Sequence, residues 1–178
     1  NVGSDYVPTT YQDPARNAVP DGGIGFVGDG IKAPERGWND YDGVDVKGKT
    51  VLILVNDPDF GTESLEGEFG GRAMTYYGRW TYKYEEAARQ GAAAAIIIHD
   101  TEPAAYGWNV VESSWTGEQF YAQSADGGAD QTQGNGWIQK AAAGKIFTAA
   151  GPDMTEQMAA AKVRGMTEVA RGPQGCGK

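Results

Sequence analysis

His99 is the only histidine in the chain, and Asp100 follows it directly. An imidazole beside a carboxylate is the pair that ligates zinc or passes a proton, so chemistry is sought here first. Zinc, however, is held by three or four converging His, Cys or carboxylate ligands. The lone cysteine, Cys176, lies in a Gly-rich tail, Arg171 to Lys178. A histidine that closes a strand and hydrogen-bonds locally is the reading this inventory favours, and no metal ligand is assigned. Nucleophiles fare no better. The sequence has no Gly-x-Ser-x-Gly elbow, Ser113 and Ser114 stand without a motif, and a tail cannot hold Cys176 as a positioned thiolate. No catalytic residue is assigned.

Gly23-Ile-Gly-Phe-Val-Gly28 spells the dinucleotide fingerprint. That fingerprint binds pyrophosphate because a helix begins straight after its glycines. Here Pro34 and a turn-rich stretch follow, and Asp21-Gly22 precedes. The glycines therefore read as shaping a strand and its turn, and no cofactor-binding residue is assigned. The 24 acidic residues show no diagnostic pairing and read as a solvated surface. Asp57, Asp59 and Glu63 offer loop oxygens of the kind calcium takes, without the spacing of an EF-hand. The most suggestive group is aromatic. Tyr106, Trp108, Asn109, Trp115 and Phe120 lie close together, with Gly107 among them. Large rings on a loop make a contact surface for a partner or peptide. The alternative is that Trp108 and Trp115 fold back onto a sheet as core.

The elements that must position these residues follow from the pattern. Thr50–Val55 and Ala94–Ile98 are apolar and rich in β-branched residues, as expected of strands buried on both faces. Between them, about Thr75 to Gln90, Trp80, Tyr84, Ala87 and Ala88 recur at helical spacing, Glu85 and Arg89 form an i,i+4 pair, and Gly91 supplies a stop. Strand, helix, strand implies a parallel crossover. Ile24–Val27 reads as a further short strand. Residues 57–71 read as an acidic Gly-rich loop, and 99–135 as an aromatic loop region followed by a polar stretch. The C-terminal third reads as helical. Trp137, Ile138, Ala141, Ala142 and Ile146 mark one apolar face as far as Ala150, and Gly151-Pro152 ends it. Asp153-Met-Thr-Glu156 then has the spacing of a capping box. Residues 1–23, with Pro8, Pro14 and Pro20, read as an extended arm, 24–169 as the single domain, and 170–178 as a flexible tail.

Composition narrows the class. The 178 residues are 40% hydrophobic and 22% charged, the balance of an ordinary globular domain. A formal net charge of −9 without a Lys/Arg cluster repels phosphate backbones and anionic headgroups, so neither nucleic acid nor a membrane surface is an expected partner. The longest apolar run, Ala92–Ile98, is strand-sized. The first residues show no basic-then-apolar leader and no initiator Met, as in a fragment or a processed chain.

An ordered series of segments resembles the protease-associated domain of bacterial family-28 metallopeptidases, which are zinc aminopeptidases. The series runs Phe26–Glu35, Gly37–Tyr41, Asp45–Val51, Val55–Pro58, Thr75–Glu85, Ala87–Ala92, Ile97–Pro103, Tyr106–Val110 and Gly136–Ile138. It covers about residues 24–169. The resemblance implies an α+β fold rich in β-structure: a β-sandwich or open barrel flanked by helices, including the crossover above. It also implies a non-catalytic domain that mediates protein or peptide contact, or gates substrate access, in a secreted or periplasmic parent enzyme. Its expected partners are the peptidase domain of that parent and a peptide or protein substrate. The family's zinc site opens with a His-x-Asp motif, whereas His99 is followed directly by Asp100. No catalytic residue carries over, and no cofactor is expected in this chain; zinc would belong to the parent. The expected working surface is the aromatic segment 106–120 with the acidic loop 57–71. The rival readings are a stand-alone binder of peptide or sugar and, behind it, a hydrolase in its own right.

Overall fold

The computed structural model describes residues 1–12, 19–122 and 124–165. Its centre is a five-stranded sheet. Thr50–Leu54 (β5) and Ala94–His99 (β6) lie side by side and parallel, Thr50 opposite Ala94. Ile24–Phe26 (β2) extends the sheet beyond β5, and Gly134–Gln139 (β7) extends it beyond β6, both parallel. Tyr6–Thr9 (β1) closes the far edge antiparallel to β7. Lys32–Ala33 (β3) and Trp38–Asn39 (β4) pair separately as a two-stranded ribbon. The mixed α and β architecture and the strand–helix–strand crossover are as expected. The expected sandwich or barrel takes the form of one open sheet with helices on both faces.

Alternation along the strands feeds two cores. Val51, Ile53, Ala95, Ile97 and Trp137 point to one face. There they meet Tyr84 and Ala87 of α1 (Trp80–Arg89) and Val111 of α3 (Trp108–Trp115). Leu52, Leu54, Ile98 and Ile138 point to the other face. They meet Ala143 and Phe147 of α4 (Lys140–Ala150) and Ala161 of α5 (Met154–Ala161). Strands buried on both faces need apolar residues at every position, which is why β5 and β6 read as unbroken runs. A third cluster joins Ile31, Ala33 and Trp38 of the ribbon region to Phe69 and Tyr82.

Three sequence readings are corrected. Trp137 and Ile138 belong to β7, not to a helix; the helix begins at Lys140. They point to opposite faces, the period of two that marks a strand. Glycines at 134 and 136 hide that signal, yet Gly136 is required, because a Cβ there would lie 2.6 Å from the Val7 carbonyl of β1. The aromatic segment is not a loop. Thr101–Ala104 (α2) and α3 are helical, and Trp108, Val111 and Trp115 share one face at spacings of three and four. Finally, the extended arm holds β1, whose Val7 is 1% exposed. The outer rim of β1 resists strand addition: Pro8 has no N–H to offer, and the Tyr6 carbonyl accepts from Gly3 N at 2.9 Å. The second C-terminal helix starts where expected, with the Asp153 carboxylate accepting from Glu156 N at 3.0 Å. The tail, with Cys176, lies outside the described residues.

Candidate functional site

The aromatic residues gather on and around α3, at the β1 edge of the sheet. Trp108 and Trp115 are half-buried and pack their rings against the first core. The Trp108 indole donates to the Gly3 carbonyl at 2.8 Å. Trp115 stands edge-on to Trp80 at 5.1 Å and to Tyr84 at 6.4 Å. Tyr106 is also half-buried, 6.4 Å from Trp137. Asn109 is exposed on α3, while Phe120 lies past its end and is 89% exposed. The chain around Phe120 is anchored on both sides. Gln119 Nε2 donates to the Ser114 carbonyl at 3.1 Å. The Tyr121 ring packs edge-on against Tyr11 at 4.6 Å, and its hydroxyl lies 3.1 Å from Thr9 Oγ1. Phe120 thus points outward between two residues whose side chains contact the rest of the domain. Val110 and Tyr11 were not read from sequence as contact residues, and Tyr121, though part of the aromatic segment, was not placed on the contact surface.

The acidic loop 57–71 turns its first carboxylates inward. Asp57 accepts from Thr75 N at 2.7 Å and Thr75 Oγ1 at 3.0 Å. Asp59 accepts from Phe69 N at 2.8 Å and Gly71 N at 3.2 Å. Gly71 has φ +56°, and a Cβ there would meet the Ser64 carbonyl at 2.0 Å, so the loop closes tightly on itself. Asp57 and Asp59 therefore organise the loop, while Glu63 stays exposed. Among the described residues, no three His, Cys, Asp or Glu side chains are placed to hold a metal ion.

His99 is buried at 4% exposure, and its Nε2 lies 3.0 Å from the Tyr106 carbonyl. A carbonyl only accepts, so Nε2 carries the hydrogen. Burial holds this imidazole below its ordinary pKa. Asp100 turns instead to Lys140 Nζ at 2.5 Å. The sequence-adjacent pair therefore does not make an acid–base dyad. Gly23, Gly25 and Gly28 lie in and around β2, which leads into turns and the ribbon, with no helix N-terminus after it.

Behind the loops lies a charge cluster that the sequence reading did not identify. Lys83 of α1 is fully buried and donates to the main-chain carbonyls of Asp29 at 2.5 Å and Asn56 at 2.9 Å. Asp29, Asp40 and Asp57 are all nearly buried around it, and one Asp29 carboxylate oxygen has no partner among the described residues. Burial pushes the Asp29 carboxyl up and the Lys83 amine down, while their mutual attraction opposes both shifts. Asn56 holds a left-handed backbone at φ 77° and ties its side chain to the Pro103 carbonyl at 2.7 Å. The cluster fastens the carboxyl ends of β2 and β5 to α1. Its amine is sealed from solvent and committed to two carbonyls, so it does not face a substrate.

Asp40 permits a direct check. Burial pushes its carboxyl up to about 6, against the pull of Ile31 N at 2.9 Å and the Trp38 indole at 2.7 Å. The folded value lies above the unfolded one, so the folded state takes up the proton first. This group's contribution to stability then rises as pH falls from about 6 towards about 4. The Trp38 indole N–H resonance is expected to titrate with a midpoint near 6. An unchanging resonance across that range would contradict the assignment.

The fold and these sites define a mixed α/β domain whose outward features are aromatic and acidic, and whose buried titratable side chains Asp40, Asp57 and Lys83 hold loops. The chain belongs to the PA, or protease-associated, domain family: the family model described as "PA domain" matches residues 7–151. Domains of this family are usually inserts in proteases and are not themselves catalytic. The matched stretch runs from within β1 to the residue after α4. No curated protein and no solved structure gives a match.

Proposed function

We propose that this chain is the non-catalytic contact domain of a larger peptidase. It mediates peptide or protein contact through the face built by α3 and residues 117–122, or gates access to a catalytic centre carried elsewhere. The observation that carries this reading is Phe120, 89% exposed between Gln119 and Tyr121, whose side chains are hydrogen-bonded elsewhere in the domain. A large ring exposed to water costs the isolated domain hydration free energy that a covering partner would recover. Membership of the PA family supports the contact role. The resemblance along residues 24–169 extends the proposal to the parent. It is a secreted or periplasmic zinc aminopeptidase whose metal ligands lie outside this chain, and its peptidase domain and peptide substrate are the partners.

Phe120→Ala tests the surface. Being exposed, the side chain should contribute less than about 0.5 kcal/mol to folding. As a contact anchor, its removal should weaken capture of the partner at least about tenfold. A pull-down with the peptidase domain and a peptide-binding titration read this together. Unchanged binding in both would remove this face from the proposal.

A further inference from the structure

The buried cluster around Lys83 holds more carboxylates than cations. Asp29, Asp40 and Asp57 are each 5% exposed or less, and Lys83 is the one buried cation among the described residues. The charged groups that face Asp29 are Lys83 from α1, Asp40 from the end of the ribbon, Asp57 from the end of β5 and the exposed Lys162 from the end of α5.

The three carboxylates are not equally supplied with donors. Asp40 accepts from Ile31 N and from the Trp38 indole, one on each oxygen. Asp57 accepts from Thr75 N and Thr75 Oγ1, again one on each oxygen. Asp29 Oδ2 is buried and has no hydrogen-bond partner among the described residues. Donors stabilise a carboxylate, and a buried oxygen without one penalises it. A proton entering the cluster is therefore bound best at Asp29. Burial raises this carboxyl well above its ordinary range, Lys83 pulls it back, and Asp40 and Asp57 push it further up.

Three contacts tie the cluster to the loop 57–71. Asp57 fastens the loop's start to Thr75. Near the loop's end, Phe69 stands edge-on to Trp38 at 5.3 Å, and that indole donates to Asp40 at 2.7 Å. Phe69 also shares its apolar cluster with Tyr82, the residue before Lys83 on α1. Between them, Lys162 Nζ lies 3.9 Å from where a Cβ on Gly61 would sit. Opening the loop thus moves groups that seal the cluster. Water relieves a buried carboxylate far more than a neutral acid, so a proton on Asp29 opposes opening.

We infer that Asp29 is a proton-binding site through which pH sets the closure of loop 57–71: protonated, it holds the loop shut against α1 and the ribbon, and ionised, it loosens the loop. This regulation is separate from the contact face at α3. The folded-state value of Asp29 is raised, so the closed form takes up the proton first and closure weakens as pH rises through that value. Lys83 cannot produce this trend. Burial lowers its amine, and its contribution grows as pH rises towards the ordinary amine value.

Two measurements on the full chain test this. Carbon-13 NMR of the aspartate carboxyls between about pH 4 and about pH 9 locates the proton, and Asp29 should keep it to a higher pH than Asp40 or Asp57. Amide exchange at Phe69 and Thr75, corrected for its intrinsic dependence on hydroxide, reads opening. Opening should become easier by up to about tenfold per pH unit through the Asp29 titration, the slope for one proton. Asp29→Asn, neutral throughout, should lose the larger part of that slope, the remainder belonging to Asp40 and Asp57. An Asp29 that ionises before the other two, or a full slope in Asp29→Asn, would overturn the inference. If Asp29→Asn does not fold, the wild type decides: the Asp29 midpoint and the midpoint of loop opening must coincide, and separate midpoints would remove the loop from the control of this proton.

Discussion

Lys83→Met is expected to cost about 3–5 kcal/mol of folding stability, the range for removing one partner from a buried charge cluster. Methionine is unbranched and only one atom shorter, so packing within α1 changes little and the loss reports the ammonium, its charge and its two hydrogen bonds together. The variant strands the Asp29 and Asn56 carbonyls, which now receive Nζ at 2.5 and 2.9 Å. It also leaves Asp29, Asp40 and Asp57 buried without their cation. The penalty has a pH signature. Without the ammonium, the carboxyls move further above their unfolded values, so the folded variant holds more protons than the unfolded chain. Its stability should therefore rise as pH falls through the range between those values. Urea denaturation at neutral and mildly acidic pH measures both effects. Adding Asp29→Asn to Lys83→Met should recover part of the loss, since it removes a carboxylate that lacks a counter-charge and has one unpartnered oxygen. A loss of less than about 1 kcal/mol that does not vary with pH would mean that the cluster is not a buried electrostatic unit.

That cluster shows where sequence reasoning stopped short. The helical stripe through Trp80, Tyr84 and Ala87 was legible, and Lys83 lies three residues after Trp80 and four before Ala87, within the same stripe. A lysine there should have signalled a buried cation. A charged residue ordinarily marks the solvated face, and its three carboxylate neighbours are supplied by residues 29, 40 and 57, distant in sequence. β5, β6 and the crossover were readable because strands buried on both faces are continuously apolar. β7 was not, because Gly134 and Gly136 interrupt its pattern and α4 follows without a turn. α3 was missed for another reason. It has eight residues, and Asn109, Ser113 and Ser114 give it a loop-like composition, although Trp108, Val111 and Trp115 already had helical spacing. The identity of the aromatic residues was therefore legible before the element that carries them. Which rings turn inward and which outward depended on Gly3, Thr9 and Tyr11, whose contacts the local sequence does not encode.

Trp137→Ala follows from the strand that was misread and should cost about 3–5 kcal/mol, as buried tryptophan truncations do. Trp137 is 1% exposed and sits in β7 opposite Val7 of β1. Its ring lies 6.1 Å from His99 and 6.4 Å from Tyr106, so it backs the segment that leads into α3. Truncation leaves a cavity there, and the His99–Tyr106 hydrogen bond loses the wall that fixes it. Amide exchange should consequently speed up across residues 106–115, in contrast to Phe120→Ala, which leaves that core intact. The indole nitrogen has no partner among the described residues, so the ring acts through volume and not through a hydrogen bond. Trp137→Phe should for that reason lose less stability than Trp137→Ala and retain slow exchange in α3. If phenylalanine proved as damaging as alanine, the indole N–H would have a function that packing does not supply. If alanine cost less than about 1 kcal/mol, the first core would not be organised around this residue.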